Sequence, residues 1–418
     1  MEQNPQAIKK TTRKINLPEG FLTPAVTDLF DCLNKNGAQT LFVGGCVRDA
    51  VLGVAAADVD LATTLTPEEA TKVLKAAGFK VEPTGLDHGT VMAIKDGMGY
   101  EVTTLRQDIS TDGRHAEVAF TTDFAADAAR RDFTFNAMYM DKQGHITDWF
   151  GGMADLEAGH VRFVGTPAQR LQEDWLRALR YIRFYGRFGA KKPDPETKRA
   201  LAGAAEHLKN LSAERKTTEV LKILLTPKAE AAFLLMQELG FLAALQLTAF
   251  KPENLKIYTK IFPEISNPTE LLVAGLWDKQ TPDLPAKTLL ENPHLRLSKK
   301  QKGLIRSANA GDLEKVSPEN VPYASWLLGG DNASRLWRLQ AAFDLEGCMR
   351  KKAMAAAHRA QKDTAPVFPL KGSDIKTLGI PEGPETGKAL RKTEAWWAER
   401  GFPEKSACLA WLSAHKHD

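Results

Sequence analysis

The first third of the chain alternates between helical and strand-like hydrophobic patterns. A helix is predicted within residues 20–35, where four apolar side chains recur at helical spacing: Val26, Leu29, Phe30 and Leu33. The apolar run at 40–43 predicts a short strand, and TPEE at 66–69 is typical of a capping box that begins a helix. β-Branched and aromatic residues predict strands at 90–94 and 100–105, separated by a hairpin turn. The first 150 residues are therefore predicted to be α/β or α+β.

Beyond about residue 165 the hydrophobic pattern becomes almost entirely helical. Segments such as LQEDWLRALRYIRF and SAERKTTEVLKILL place apolar residues at helical spacing, and strand-like alternation nearly disappears. Clusters of proline and asparagine at 263–268 and 281–293, and the stretch at 365–374, are the strongest candidate breaks. The rest of the chain is therefore predicted to be helical.

Composition limits this outline without indicating a function. With 418 residues, 43% of them hydrophobic and 26% charged, the chain is expected to form about two to four globular domains. The net charge of +4 permits a polyanionic partner without requiring one. No apolar run is long enough for a membrane span, and the basic first residues lack an apolar signal core, so we expect a cytoplasmic protein. The cysteines are far apart, which favours reduced thiols over a zinc site or disulfides: Cys32, Cys46, Cys348 and Cys408.

The stretch LFVGGCVRDAVLGVAAADVDLAT, at 41–63, combines groups suited to phosphate and metal binding. Because strand residues two apart face the same side, Asp58 and Asp60 are predicted to share one space that suits two divalent ions. Mg²⁺ favours carboxylates together with phosphate oxygens. Gly44 and Gly45 let the backbone turn beside a ligand, and Arg48 adds a planar cation. Together these groups predict nucleotide transfer from a triphosphate.

Each part of this stretch is common by itself, since a D-x-D often ends a strand and a Gly-Gly pair often makes a turn. The chain has neither a GxxxxGK[ST] P-loop nor a GxGxxG fingerprint. The combined motif, GGCVRDAVLG followed by DVDLAT, closely resembles the head motif of the class II nucleotidyltransferases that add CCA to tRNA, together with the related bacterial poly(A) polymerases.

This resemblance implies a polymerase-β-like α+β head followed by an all-α neck, body and tail. It is strong over about residues 40–225 and looser in the tail. The implied ranges are 1–147 for the nucleotidyltransferase head, 148–226 for the neck that selects the nucleobase, 227–365 for the body and 366–418 for the tail.

The resemblance also implies Mg²⁺ as cofactor, as two ions held by Asp58, Asp60 and a third carboxylate. A two-metal site generally uses such a third ligand, and the resemblance places it on a later strand of the head. Glu101 in YEVTTL is the best match. The alternatives are that Glu101 is an ordinary solvent-facing strand residue and that Asp108 is the ligand.

The segment ARRDFTFNAM, at 129–138, is predicted to be a helix with Asp132 and Asn136 four apart on one face and Arg131 adjacent. By pattern alone it is equally typical of an ion-paired structural helix. It matches the ribose-recognition motif RRDFTxNA of the family at every fixed position. The resemblance implies that Asp132 binds the ribose and that Arg131 lies near the phosphates.

The segment EDWLRALR, at 173–180, places Glu173, Arg177 and Arg180 at i, i+4 and i+7 of a predicted helix, with Asp174 beside them. Helix salt bridges alone would explain this spacing. An accepting Asp beside a donating Arg would also pair with cytosine or adenine and reject uracil and guanine. The family motif EDxxRxxR selects the nucleobase, which implies that role for Asp174 and Arg177, with Glu173 as an orienting partner.

The polar segment LRQDISTDGRHAEVAF, at 105–120, is predicted to be a mobile surface loop. It resembles the flexible loop with which CCA-adding members reshape the nucleotide pocket, and relatives that add only A typically lack that loop. The candidate residues in it are Arg106, Asp108, Asp112 and Arg114.

Three further features of the sequence are weaker. DWFGGMADL, at 148–156, resembles the hinge between head and neck, where Gly151 and Gly152 could absorb a dihedral change. The segment at 211–225 resembles a structural neck helix, to which we assign no catalytic role. Two basic runs without acidic residues, 292–311 and 347–362, suit RNA phosphates and a solvated surface equally well.

These expectations combine into an enzyme that adds two C residues and one A, from CTP and ATP, to a tRNA 3′ end without a nucleic-acid template. The nearest alternative is a poly(A) polymerase or an enzyme that adds only A, because the head motifs are shared. A catalytically inactive RNA-binding protein would be expected to have lost a metal carboxylate, and both aspartates are present. No pattern in the sequence indicates the oligomeric state.

Overall fold

The computed structural model contains two compact units, Met1–Ala244 and Leu245–Asp418. The residues that the structure describes are 10–54, 58–85, 89–111, 116–281, 283–307, 316–376, 378, 380 and 383–415. Within these residues all strands belong to the first unit, so the predicted α+β head followed by helices is confirmed. The finer division into head, neck, body and tail stays a prediction. None of the described helices combines the length and apolar composition needed to cross a bilayer.

The strands of the first unit form one large sheet and one small ribbon. Their bounds are β1 (Thr11–Lys14), β2 (Thr40–Val43), β3 (Asp60–Thr63), β4 (Lys80–Gly85), β5 (Thr90–Lys95), β6 (Met98–Thr104), β7 (Arg106–Thr111), β8 (Ala116–Phe120), β9 (Tyr139–Met140) and β10 (His145–Asp148). The described part of the sheet has the order β1-β10-β9-β2-β3-β6-β5-β4, and β7 pairs with β8. Strands β3 and β6 run parallel near the centre of the sheet, whereas the other described neighbours run antiparallel.

Helices pack on this sheet, form the rest of the first unit and make up the second unit. In the first unit they are α1 (Pro24–Leu33), α2 (Gly45–Val51), α3 (Pro67–Ala76), α4 (Phe124–Ala129), α5 (Gly152–Glu157), α6 (Pro167–Glu173), α7 (Leu176–Phe188), α8 (Pro195–Leu208), α9 (Ala213–Leu224), α10 (Ala229–Glu238) and α11 (Phe241–Ala244). In the second unit they are α12 (Pro252–Ile261), α13 (Pro268–Leu276), α14 (Leu284–Leu290), α15 (Lys299–Ser307), α16 (Val321–Leu328), α17 (Gly330–Phe343), α18 (Gly347–Lys362), α19 (Gly372–Lys376), α20 (Pro384–Glu399) and α21 (Lys405–Ala414).

Local signals in the sequence explain where several head elements begin and end. The predicted capping box is present, because Thr66 and Glu69 exchange side-chain and backbone hydrogen bonds at the start of α3. The predicted strands at 40–43, 90–94 and 100–105 are β2, β5 and β6. The turn between β5 and β6 places Asp96 and Gly97 at φ values of 55° and 76°, which suits a tight hairpin.

Two segments predicted to be single helices are interrupted, so those predictions were wrong. Between α4 and a short 3-10 helix at Thr134–Asn136, Phe133 is extended and forms a β-bridge with Phe163. Between α6 and α7, Asp174 is also extended, and its carboxylate accepts a hydrogen bond from the N–H of Leu176 at 3.1 Å. Such local side-chain bonds compete with helical bonding, and this one coincides with the break.

An aromatic cluster packs the 3-10 segment against α7. The ring centroid of Phe184 lies 5.2 Å from that of Phe133 and 5.0 Å from that of Phe135, both in edge-on geometry. All three rings are buried. This packing holds one face of α7 beside the loops that follow β2 and α4, which is where the candidate site lies.

Candidate active site

One cavity of the first unit gathers most of the residues singled out from the sequence. Its volume is about 680 Å³, and its walls come from β3, β6, α7, α9 and the segments around α2 and the 3-10 helix. Ten predicted site residues line it: Gly44, Gly45, Arg48, Asp58, Asp60, Glu101, Arg131, Asp132, Asn136 and Arg180. Arg183, Phe184 and Lys222 also line the cavity and were not predicted.

Of the carboxylates that line the cavity, two come from strands of the sheet and one from the bend before β3. Asp60 and Glu101 are register partners on the parallel strands β3 and β6, and Asp58 precedes β3 by two residues. Burial, together with the nearby carboxylates of Glu101 and Asp58, raises the pKa of Asp60 to about 6 against the opposing charge of Arg131. A bound cation would offset the repulsion that Glu101 and Asp58 exert on the Asp60 carboxylate, and carboxylate oxygens are donors that Mg²⁺ prefers.

The structure places Asp58 differently from the sequence argument. Asp58 lies in a bend before β3, so strand alternation does not aim its side chain beside that of Asp60. In the part of the chain that is described, no three His, Cys, Asp or Glu side chains are grouped closely enough to hold a metal. Glu101 is exposed, as its alternative interpretation required, but it lines the cavity. The side chain of Asp108 lies outside the described residues.

The turn before α2 brings backbone and a guanidinium to the cavity. Gly44 has a φ of +73°, and a Cβ atom there would lie 3.4 Å from Nη1 of Arg131, so glycine suits the position. The Arg48 guanidinium is buried and donates to Oδ1 of Asp49 and to Oδ1 of Asn136, both at 2.9 Å. The structure therefore holds Arg48 in one orientation through two partners.

A buried acid that the sequence analysis did not single out positions Arg131. Asp127 is 1% exposed and accepts hydrogen bonds from Arg130 at 2.8 Å and from Arg131 at 3.1 Å. The hydroxyl of Tyr139 also donates to Asp127. Burial alone would raise the pKa of Asp127, but the two arginines and Tyr139 outweigh it and hold that pKa below its usual range.

The predicted ribose-binding pair meets without the predicted helix. Nδ2 of Asn136 donates to Oδ1 of Asp132 at 3.1 Å, and Nε of Arg180 donates to Oδ2 of Asp132 at 2.7 Å. Burial would raise the pKa of Asp132, but the charge of Arg180 and these hydrogen bonds hold it below its usual range. Asp132 is therefore an ionised acceptor at the cavity wall.

The predicted base-selecting residues do not line the cavity. The carboxylate of Asp174 contacts Nη2 of Arg215 in α9 at 2.7 Å, and Arg177 contacts Glu173, whose orienting role stays a prediction. The carboxylate of Asp174 is thus paired with Arg215, whereas Arg177 contacts Asp174 through its backbone N–H, which donates to the carbonyl oxygen of Asp174 at 3.0 Å. A sequence pattern could not identify Arg215 as this partner, since the two residues are 41 positions apart.

The segment at 105–120 is a strand pair where it is described, not a loop. β7 and β8 pair antiparallel with a register shift between Asp108 and Ser110. The backbone N–H of Arg106 donates to Oδ1 of Asp127 at 3.2 Å, which ties the base of the ribbon to the buried acid. Asp112 and Arg114 lie outside the described residues.

Two further cationic residues reach the cavity from helices. Nε of Arg183 in α7 donates to Oε2 of Glu219 in α9 at 2.8 Å, and Lys222 follows Glu219 by one turn. The guanidinium carbons of Arg48, Arg180 and Arg183 lie 5.2, 5.9 and 4.3 Å from the ring centroid of Phe184. In the sequence, the i and i+3 spacing of Arg180 and Arg183 on α7 is a weak signal that both reach the same cavity.

Known proteins match this chain over nearly its whole length. Residues 40–162 match the family model "Poly A polymerase head domain", and residues 192–250 match "Probable RNA and SrmB- binding site of polymerase A". The chain is 34% identical to the mitochondrial CCA tRNA nucleotidyltransferase 1 of Mus musculus, over 96% of this chain and 93% of the mouse protein. It is 37% identical to the CCA-adding enzyme of Levilactobacillus brevis, over 94% of this chain and 98% of that protein.

A solved structure agrees with these similarities. The crystal structure of the Bacillus stearothermophilus CCA-adding enzyme in complex with CTP aligns with a TM-score of 0.74 and 29% identity, covering 94% of this chain and 98% of that chain. Sequence and fold therefore agree from the head through the helical unit. This chain belongs to the family of CCA-adding tRNA nucleotidyltransferases.

Proposed function

We propose that this protein adds C, C and A to the 3′ end of tRNA from CTP and ATP, without a nucleic-acid template. The observation that carries the proposal is one cavity lined by the carboxylates of Asp58, Asp60 and Glu101 and by cationic side chains. The nearly full-length relatives named CCA-adding enzymes favour CCA addition over poly(A) synthesis or the addition of A alone. The retained carboxylates disfavour an inactive RNA-binding protein.

In this proposal the carboxylate wall receives the reacting groups. Asp58, Asp60 and Glu101 would hold divalent cations, two Mg²⁺ ions by our expectation, which when bound neutralise phosphate charge and favour deprotonation of a hydroxyl. The side chains of Asp60 and Glu101 project from rigid neighbouring strands, so the tRNA 3′ hydroxyl would meet a preorganised acidic surface.

The cationic and polar side chains of the cavity would hold the incoming nucleotide. Arg48 and Arg131 would contact the triphosphate, and the ionised Asp132 would accept a hydrogen bond from a ribose hydroxyl. Base selection by Asp174 and Arg177 remains part of the proposal; the side chain of Asp174 keeps 30% of its surface exposed beside Arg215. A nucleobase bound there would replace the contact between Asp174 and Arg215 with contacts to the base.

Stepwise incorporation tests this function directly. With tRNA that lacks its terminal CCA, CTP alone should extend the RNA by two residues, and CTP with ATP should extend it by three. ATP alone should give no extension of that RNA. Extension by ATP alone, or long A tails, would instead support the alternative enzymes, and no extension under any condition would support the inactive RNA-binding protein.

Removing one wall carboxylate tests the metal assignment. Asp58→Ala should lower the rate of CMP incorporation by about a thousandfold or more, because charge stabilisation by a bound cation contributes several kcal/mol to transfer. Its thermal unfolding should match that of the wild type, since Asp58 is exposed. Glu68→Ala, which removes an exposed acid of α3, is the control. Wild-type rates in Asp58→Ala would contradict the assignment.

A further inference from the structure

Four arginines line the candidate cavity, and each is already paired with a carboxylate of the protein. The ion pairs are Arg48 with Asp49 at 2.9 Å, Arg131 with Asp127 at 3.1 Å, Arg180 with Asp132 at 2.5 Å and Arg183 with Glu219 at 2.8 Å. A guanidinium that is neutralised in this way can orient a ligand. It contributes less net attraction to a polyanion than an unpaired cation does.

Lys222 differs from these arginines. It is exposed, it lines the same cavity, and no carboxylate among the described residues forms an ion pair with it. Its ammonium group is therefore the cavity cation whose charge is uncompensated in this part of the chain. A nucleoside triphosphate brings several negative charges into the cavity, and those charges favour such a group.

Lys222 also lies at a definite position relative to the base-selecting segment. Arg215, Glu219 and Lys222 are spaced i, i+4 and i+7, so they share one face of α9. Asp174 lies just before α7 and contacts Arg215. Arg183 lies nine residues after Asp174 and contacts Glu219, which follows Arg215 on α9. The contacts therefore advance in the same direction along α7 and α9. Lys222 continues this series about 10 Å beyond Arg215 along α9 and lines the same cavity as Arg48 and Gly44.

From these observations we infer that Lys222 binds the polyphosphate of the incoming nucleotide, which extends the proposed function by one substrate-binding residue. The inference rests on that proposed function, because it takes CTP and ATP as the ligands. It assigns α9 a role beyond the structural one expected from its sequence. A contact with RNA phosphate at this position is the competing outcome.

Binding of ligands that carry different numbers of phosphate groups tests the inference. We expect Lys222→Ala to weaken CTP and inorganic tripolyphosphate binding by about tenfold, the size of one lost charge-assisted hydrogen bond. CMP binding should change by less than about twofold, and the KM for tRNA should stay unchanged. Lys222→Arg should restore most of the CTP affinity, because it keeps the charge. Lys72→Ala, which removes an exposed lysine of α3 outside the cavity, is the matched control.

The possible outcomes separate this inference from the function itself. CTP and tripolyphosphate affinities of Lys222→Ala within about twofold of the wild type would overturn the role of Lys222 while leaving CCA addition intact. A raised KM for tRNA with unchanged CTP affinity would overturn it in favour of an RNA contact. If the wild type fails to extend tRNA, the proposed function fails, and the tripolyphosphate comparison still decides whether Lys222 binds polyphosphate.

Discussion

At the scale of single residues, the candidate site depends on acidic residues that form ion pairs with its arginines. Asp127 bonds Arg131, and Asp49 bonds both Arg48 and Arg187, at 2.9 and 3.1 Å. These acids hold the guanidinium groups in place before any ligand arrives. Preorganised charge of this kind favours ligand binding because less reorganisation accompanies the binding step.

Asp127 is the clearest test of this support. Asp127→Asn should lower the free energy of unfolding by about 3–5 kcal/mol at pH 7, because a buried partner of two arginines loses its charge. The pKa of Asp127 lies below its usual range in the folded protein, so its contribution is complete above about pH 4. The difference from the wild type should therefore shrink as the pH falls below that value.

Urea unfolding between pH 7 and pH 3 measures this difference. Asp31→Asn is the control, because it breaks the exposed ion pair between Asp31 and Lys142 and should cost less than about 1 kcal/mol. Equal effects of the two substitutions at pH 7 would mean that Asp127 does not stabilise the fold through its charge.

At the scale of elements, the segment at 148–156 is held more firmly than a free hinge. The carboxylate of Asp148 accepts hydrogen bonds from the backbone of Gly151 at 2.9 Å and of Met153 at 3.0 Å. A Cβ atom on Gly152 would lie 2.2 Å from the carbonyl oxygen of Thr134. The glycine is therefore required by close packing of α5 on the 3-10 helix, whereas the hinge role stays a prediction.

Alanine substitutions at two glycines separate packing from helix propensity. Gly152→Ala should lower the free energy of unfolding by about 1–3 kcal/mol, because the backbone of Thr134 must move. Gly203→Ala, inside α8 with open space around the new Cβ, should raise it by about 0.5–1 kcal/mol. Thermal and urea unfolding of both variants decide this, and a neutral Gly152→Ala would argue against the packing role.

At the scale of the whole molecule, the second unit brings together the two basic runs identified in the sequence. Residues of both runs line a cavity of about 1160 Å³, including Lys300 from the first and Gln361 from the second. Arg335 lies in the same lining, and its Nε is 3.3 Å from Oε2 of the buried Glu270. Residues from runs that are separate in the sequence thus line one surface, whose cationic residues include Lys300 and Arg335.

We predict that this surface contacts tRNA phosphates. Lys300→Glu should weaken tRNA binding and reduce the salt dependence of the affinity by about one unit of slope, because one phosphate contact is lost. The KM for CTP should not change, since the substitution is in the other unit. Lys260→Glu, which reverses an exposed charge of α12 outside the cavity, is the control. Equal losses in both variants would indicate only a general charge effect.

The sequence by itself determined the local elements and most of the site chemistry. Capping at Thr66 and the hairpin between β5 and β6 follow from neighbouring residues, and a short motif indicated Asp58 and Asp60. The resemblance to the family indicated Glu101, and all three carboxylates line the cavity. The physical basis of the local elements is local, since turns, caps and alternation act over a few positions.

Only the tertiary structure decided which partners those residues meet. The carboxylate of Asp174 pairs with Arg215 rather than with the Arg177 side chain, Asp127 supports Arg131, and residues of two distant basic runs line one cavity. Phe133 leaves the expected helix because its bridge to Phe163 and its burial among aromatic rings outweigh local helix preference. Burial and long-range ion pairing depend on how segments pack, and no spacing along the chain encodes that packing.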